Sequence, residues 1–287
     1  MSKTVLEPQS PVSGRDQRRD QTSAEGRLDR GPDPIPDHAV ITAAAVPSAL
    51  AAGWRDFRRA PAFGLFFSAF YVLGGLMMAA VAFAFGNEWL LMPFIVGFPL
   101  LAPFAATGLY EVSRRIELGE PLDWPAVLRV VVAQKDRQVP SMAMVILLLF
   151  MFWVFVAHTT FALFMGLSSL TNISSSPGIL LEGRGLVMLA VGTVVGAGFA
   201  GVLFSVTVVG LPLILDREVD LISAIIASFQ AVLDNKGVML LWGIVIAGLL
   251  FAAILPLFLG LLVVLPVLGH ASWHMYRQLM PDSDESL

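Results

Sequence analysis

Apolar and polar positions along this chain alternate between two kinds of stretch. Long apolar runs cover about Phe63 to Phe85, Trp89 to Tyr110, Ser141 to Met165, Leu186 to Leu215 and Val238 to Gly269. A helix that crosses a bilayer needs roughly 20 apolar residues, so each run predicts at least one membrane span. Shorter amphipathic stretches carrying basic residues lead into three of them. The first starts near Ser48 and passes through Trp54, Arg55, Asp56, Phe57, Arg58 and Arg59 to Pro61. The second starts near Ala126 and passes through Gln134, Lys135, Asp136 and Arg137 to Pro140. The third starts near Ser223 and passes through Asp234, Asn235 and Lys236 to Gly237. The pattern therefore reads as one unit used three times: an amphipathic helix, then apolar helices that return to another basic stretch.

The fourth run is longer than a bilayer requires and predicts a tilted or bent helix. The fifth is too long for one ordinary span and short for two. Charge placement bears on that choice, because positive residues gather in cytoplasmic loops. Arg55, Arg58 and Arg59 place the N-terminus in the cytoplasm, and Arg114, Arg115, Arg129, Lys135 and Arg137 follow on the same side after two spans. Arg217 and Lys236 follow after four. A turn near Pro256 to Gly260 brings Arg277 back to that side; a single last helix leaves it outside. Pro266, Trp273 and Arg277 also repeat the spacing of Pro103, Tyr110 and Arg114. The fold class expected is all-α: a polytopic transmembrane helical bundle of six spans, with five as the alternative. Its spans form three hairpins, each preceded by a cytoplasmic interfacial amphipathic helix. Such helices bury apolar residues at headgroup depth, with Trp54, Phe57 and Phe229 as the expected anchors.

Composition agrees with the membrane reading. The chain of 287 residues is 56% hydrophobic and 14% charged, with no cysteine, and its mean hydropathy is +0.77. Soluble domains carry about 25% charged residues. Without cysteine there are no disulfides, thiolate metal sites or thiol nucleophiles. The first residues, to about His38, are polar, proline-rich and of mixed charge, and cannot bury enough apolar surface to offset ordering entropy. The domain division expected is a disordered cytoplasmic tail over 1–45, an integral membrane domain over 46–279 and a short polar tail over 280–287.

Candidate chemistry is sparse. His158, with Thr159 and Thr160, lies inside the third span, where ionisable residues face a bundle interior or a water-filled path; helix-to-helix hydrogen bonding is the plainer role. His270 and His274 stand four apart, on one helix face. That spacing suits a metal, though no third ligand is close in sequence and a pair facing headgroups explains them as well. Glu111 can bridge to Arg114 and Arg115 on one face. With Arg55, Arg58, Arg59 and Arg277, these residues are candidates for binding anionic lipid headgroups or a partner. No dinucleotide, phosphate-loop or zinc-peptidase motif occurs. Gly196 to Gly201 imitates a glycine-rich loop within a span and reads as helix packing.

Three strings go beyond generic hydrophobicity: GWRDFRRAPAFGLFFSAFYVLGG from Gly53, FPLLAPFAATGLYEVSRRIELGEPLDW from Phe98 and LPVLGHASWHMYRQL from Leu265. They resemble a family of uncharacterised, mainly proteobacterial integral membrane proteins grouped as a domain of unknown function. The resemblance covers about Val46 to Leu279. It implies a multi-pass protein of the bacterial inner (cytoplasmic) membrane and no established activity. Some members carry the label cytochrome c oxidase subunit I. The haem–copper subunit needs more histidine ligands within its helices than the four histidines of this chain supply, and His38 lies in the tail.

The function expected is that of a non-enzymatic scaffold or assembly protein in the membrane, with no cofactor. Its expected partners are membrane lipids, a membrane protein or a second copy of itself, and no nucleic acid. The alternative is a small-solute or ion transporter with a path near His158.

Overall fold

A computed structural model of the chain describes residues 38–85, 92–166, 183–217, 219–256 and 258–281. Among these the secondary structure is helical, with no strand. In chain order the helices are α1 (Ala45–Arg59), α2 (Pro61–Phe85), α3 (Met92–Leu118), α4 (Trp124–Ala133), α5 (Val139–Met165), α6 (Arg184–Thr207), α7 (Gly210–Asp216), α8 (Leu221–Asp234), α9 (Lys236–Ile254) and α10 (Leu261–Leu279). A short 3₁₀ turn, Gln134–Asp136, joins α4 to α5. Short amphipathic α1, α4 and α8 thus each precede long apolar helices.

Among the described residues, four stretches are long and apolar enough to cross a membrane: Pro61–Met78, Val139–Met165, Arg184–Asp216 and Lys236–Ile254. Much of their surface is bare hydrocarbon, as at Leu148, Phe155, Val194, Ile244 and Phe251. In water that would be costly; against lipid tails it is the expected state. The last apolar run divides at Leu255 to Gly260, where Phe258 takes φ 65° and Pro256 cannot continue the hydrogen-bond ladder. The fourth run bends at Val208 and Val209, three residues before Pro212. The Val209 amide turns to the Ser228 hydroxyl of α8, 3.2 Å away.

α10 lies at the centre, packed on α1, α2, α3 and α9. It runs antiparallel to α2: the Ser68 hydroxyl donates to the Leu262 carbonyl at 3.2 Å, and Gly64 sits against Pro266. Shielded from lipid by its neighbours, α10 can carry polar side chains that an outer helix could not. Further contacts join distant parts of the chain. The Ala39 amide donates to the Leu279 carbonyl at 2.8 Å, and the Ile41 amide to Asn235 Oδ1 at 2.8 Å. Asn235 Nδ2 returns a bond to the Ala39 carbonyl at 3.0 Å. Met142 on α5 lies against Gly210 on α7.

Some sequence boundaries shift. Residues 38–44, assigned to the tail, are tied to α10 and to the α8–α9 junction by these bonds; 1–37 lie outside the described residues. Met280, assigned to the C-terminal tail, is buried, and 282–287 lie outside. Residues 167–182, between the third and fourth apolar runs, also lie outside the described residues. Helix α3 continues well past Tyr110, the expected end of the second span.

The amphipathic helices are where expected, but their apolar faces meet protein. Ala45, Ala49, Ala52, Gly53, Asp56 and Phe57 form the buried stripe of α1, which presses on α10. Ala224, Ala227, Ser228 and Ala231 form that of α8, which packs on α6 and α7. Small residues at this spacing let backbones approach closely. Of the expected lipid anchors, Phe57 is buried against Gly64 and Phe229 packs on the core; Trp54 alone is exposed.

Candidate functional site

Polar residues of four helices converge beside the C-terminal half of α10. The last turns of α3 supply Glu111, Ser113, Arg114, Arg115 and Glu117. Helix α1 supplies Asp56, and the end of α7 supplies Asp216. Helix α10 contributes His270, Trp273, His274, Tyr276 and Arg277.

At the inner end lies a chain of hydrogen bonds. Ser113 Oγ donates to Asp56 Oδ2 at 2.8 Å, and His274 Nε2 donates to the same oxygen at 2.7 Å. His270 Nδ1 lies 2.8 Å from Ser113 Oγ. A carboxylate only accepts, and a serine has one proton to give. Ser113 therefore gives its proton to Asp56, and His270 carries its own on Nδ1 to donate to Ser113. The rest of the His270 ring is buried beside the Leu109 backbone. Ser113 and His270 are both fully buried. Serine, histidine and aspartate also make hydrolytic triads, but there the histidine stands between serine and acid. Here the serine stands between them, sealed in the helix packing. The geometry is that of a clamp joining α1, α3 and α10.

Burial by itself raises the Asp56 carboxyl pKa. The hydrogen bonds from His274 and Ser113 outweigh burial and hold it below the ordinary carboxylate value. A carboxyl with a depressed folded pKa stabilises the fold above its unfolded pKa of about 3.9; that contribution is lost as pH falls through the lower folded value. At pH 7 Asp56→Asn should lower the unfolding temperature in detergent relative to the parent chain. The gap should close as the solution is acidified below about pH 4. A gap of constant size down to the lowest tolerated pH would show that the charge of Asp56 contributes nothing.

Beside the clamp sits a second network of ion pairs. The Glu111 side chain is fully buried and accepts from Arg115 Nε at 2.6 Å and Arg114 Nη1 at 3.1 Å. Arg115 also reaches Glu120 at 3.3 Å and the Pro121 carbonyl at 3.2 Å. Arg277 Nε donates to Glu117 at 3.0 Å, and Trp273 Nε1 donates to the other Glu117 oxygen at 2.9 Å. Tyr276 donates to Asp216 at 2.7 Å. Arg114 and Arg277 also approach Asp216, each at 3.9 Å. Paired charges with several hydrogen bonds each are the form in which ionic groups persist in a largely buried site.

The expected site residues therefore divide. Glu111 does meet Arg114 and Arg115, but inside the protein and not at a solvated helix end. With Arg277, those arginines are committed to carboxylates of the chain itself. His270 and His274 face Ser113 and Asp56 within the helix packing. Among the described residues no group of three or more His, Asp or Glu is placed to hold a metal. His158 is exposed, and Nδ1 donates to the Val154 carbonyl one turn back at 2.8 Å. Thr159 and Thr160 bond back to Phe155 and Val156 in the same way, at 2.9 and 2.8 Å. A half-open, mainly apolar cavity of about 270 Å³ lies between α5 and α6, lined by Thr160 and Thr193 but not by His158. Arg55, Arg58 and Arg59 are exposed.

Sequence reasoning missed Asp56, Ser113, Glu117 and Asp216. One signal was present for Asp56. It is the single acid in α1, and it falls on the stripe of alanine and glycine that must be the packed face. The other three lie on helix ends that the polar pattern places in water.

Residues 91–216 match a family described as "Predicted integral membrane protein (DUF2189)". No curated protein and no solved structure matches the chain.

Proposed function

We propose that the chain is a six-span protein of the bacterial inner membrane that acts as a non-enzymatic scaffold for a membrane partner. Both ordered ends lie at the cytoplasmic face in this reading. The observation that carries it is the polar network that welds α1, α3, α7 and α10 at one end of the bundle. A transporter must open and close around its site, whereas these buried charges resist separation. The polar side chains His158, Thr159, Thr160 and Thr193 are satisfied on their own helices and leave no donor row for a solute among the described residues. Three contacts support the six spans and their pairing. Ala39 meets Leu279, Met142 meets Gly210, and Asp216 lies by Arg114 and Arg277. The first joins the segment before the first span to the end of the last, the second joins the start of the third span to the end of the fourth run, and the third joins the ends of the second, fourth and sixth. Helices α3 and α10 count as spans because their polar turns are sheltered by protein.

The test has two parts. Purification in mild detergent should retain a membrane protein at fixed stoichiometry, and proteoliposomes of the chain should pass small solutes and ions no faster than empty vesicles. Flux above that background, abolished by His158→Ala, would replace the scaffold with a transporter.

A further inference from the structure

We infer that the outer face of α1 is a docking site for anionic phospholipid of the cytoplasmic leaflet, with Arg55, Arg58 and Arg59 as its headgroup contacts. The inference rests on the orientation proposed above and narrows the partner of the basic collar to one chemistry and one helix. Of the seven charged residues expected there, Glu111, Arg114, Arg115 and Arg277 are bound to one another or to neighbouring acids. The three arginines of α1 differ: each is exposed, and none makes an ion pair or hydrogen bond with a described residue.

The packing of α1 creates that difference. The one acid of the helix, Asp56, points inward and is held by Ser113 and His274. Its charge is spent on the far side of the helix. Residues 54, 55, 58 and 59 lie on the exposed face, at the spacing of successive helix turns, so three guanidinium groups share one surface with Trp54. Trp54 is 45% exposed; an amphipathic indole of this kind favours headgroup depth.

A second observation bears on what that surface faces. Five residues after the break at Ala60 that ends α1, α2 begins to present Leu65, Phe66, Phe70, Leu73 and Met77, all largely bare. The three arginines thus stand a few residues from a helix face of bare hydrocarbon, as headgroup contacts do. Guanidinium suits phosphate through paired N–H donors, and each basic residue near an anionic leaflet contributes about a fivefold preference.

Native mass spectrometry of the whole chain in mild detergent tests this, with phosphatidylglycerol and phosphatidylcholine supplied in equal amounts. The parent chain should retain phosphatidylglycerol preferentially. R55Q/R58Q/R59Q should lose that preference, by on the order of 100-fold in relative affinity, with its unfolding temperature unchanged. R58Q alone gives a graded reading of about fivefold should the triple variant fold poorly. R129Q/K135Q/K236Q removes three other exposed charges and should leave the preference in place. An equal loss in that control would mean diffuse surface charge and overturn the site. So would a preference that survives the α1 variant, or lipid displaced by millimolar inorganic phosphate. If selectivity fails while a protein partner still co-purifies, only this inference falls. Solute flux would remove only the scaffold.

Discussion

Glu111→Ala is expected to destabilise the chain by about 3 kcal/mol, the largest effect of any single charge removal in the network. Its carboxylate is wholly enclosed and takes bonds from both Arg114 and Arg115. Removing it leaves two guanidinium groups facing a void. Arg115 is 14% exposed and keeps Glu120, and Arg114, 35% exposed, can turn to water. Those escapes hold the cost near the lower bound for a broken buried pair. Glu111→Gln keeps the shape and one acceptor, and should fall between the parent chain and the alanine variant. The measurement is the unfolding temperature in one detergent, with Glu120→Ala as the exposed control. Equal, small losses at both positions would show that the enclosed carboxylate stabilises no more than a solvated one.

The network also explains what could be read from the sequence and what could not. The Glu111, Arg114 and Arg115 contacts are local. Spacings of three and four residues on a helix determine them, so the sequence shows them. The break near Pro256 was legible for a similar reason, from proline chemistry and charge bookkeeping. Asp56 meets His274 across 218 residues of chain, and no local pattern encodes that meeting. Their spacing marks His270 and His274 as a pair, but their partners lie on α1 and α3. The end of α3 is hidden from the sequence by the same logic. Glu111, Ser113 and Glu117 are polar, so the pattern takes the helix out of the membrane there; packing against α1 and α10 shelters them instead. Amphipathicity predicted α1 and α8 correctly as elements, yet it cannot say whether an apolar face meets lipid or protein. The alanine and glycine on those faces are the clue, since such small side chains offer lipid little area and another helix a close approach.

That close approach sets up the second large effect, Gly53→Ala. A methyl group at this position would lie 2.6 Å from both the Ala271 amide nitrogen and the Val267 carbonyl oxygen, and 2.8 Å from Ala271 Cβ. Two of these neighbours are backbone atoms of the central helix, so no rotamer change can clear the space. Helix α1 must lift from α10. Overpacking of a core typically costs about 1–3 kcal/mol, occasionally more. Here displacement would also pull Asp56, less than one turn away, from Ser113 and His274, so the upper end is expected. Gly248→Ala makes the same chemical change in α9, where the added methyl meets nothing within 4 Å. It should be neutral, or stabilising by up to about 1 kcal/mol through helix propensity. Hydrogen exchange separates the two variants by location as well as size. Gly53→Ala should speed exchange along α1 and at the Ala39 amide, whose acceptor is the end of α10, while Gly248→Ala should leave both protected. Matching unfolding temperatures for the two variants would mean that α1 is only loosely seated on α10. The clamp at Asp56 could not then orient the arginines on the opposite face.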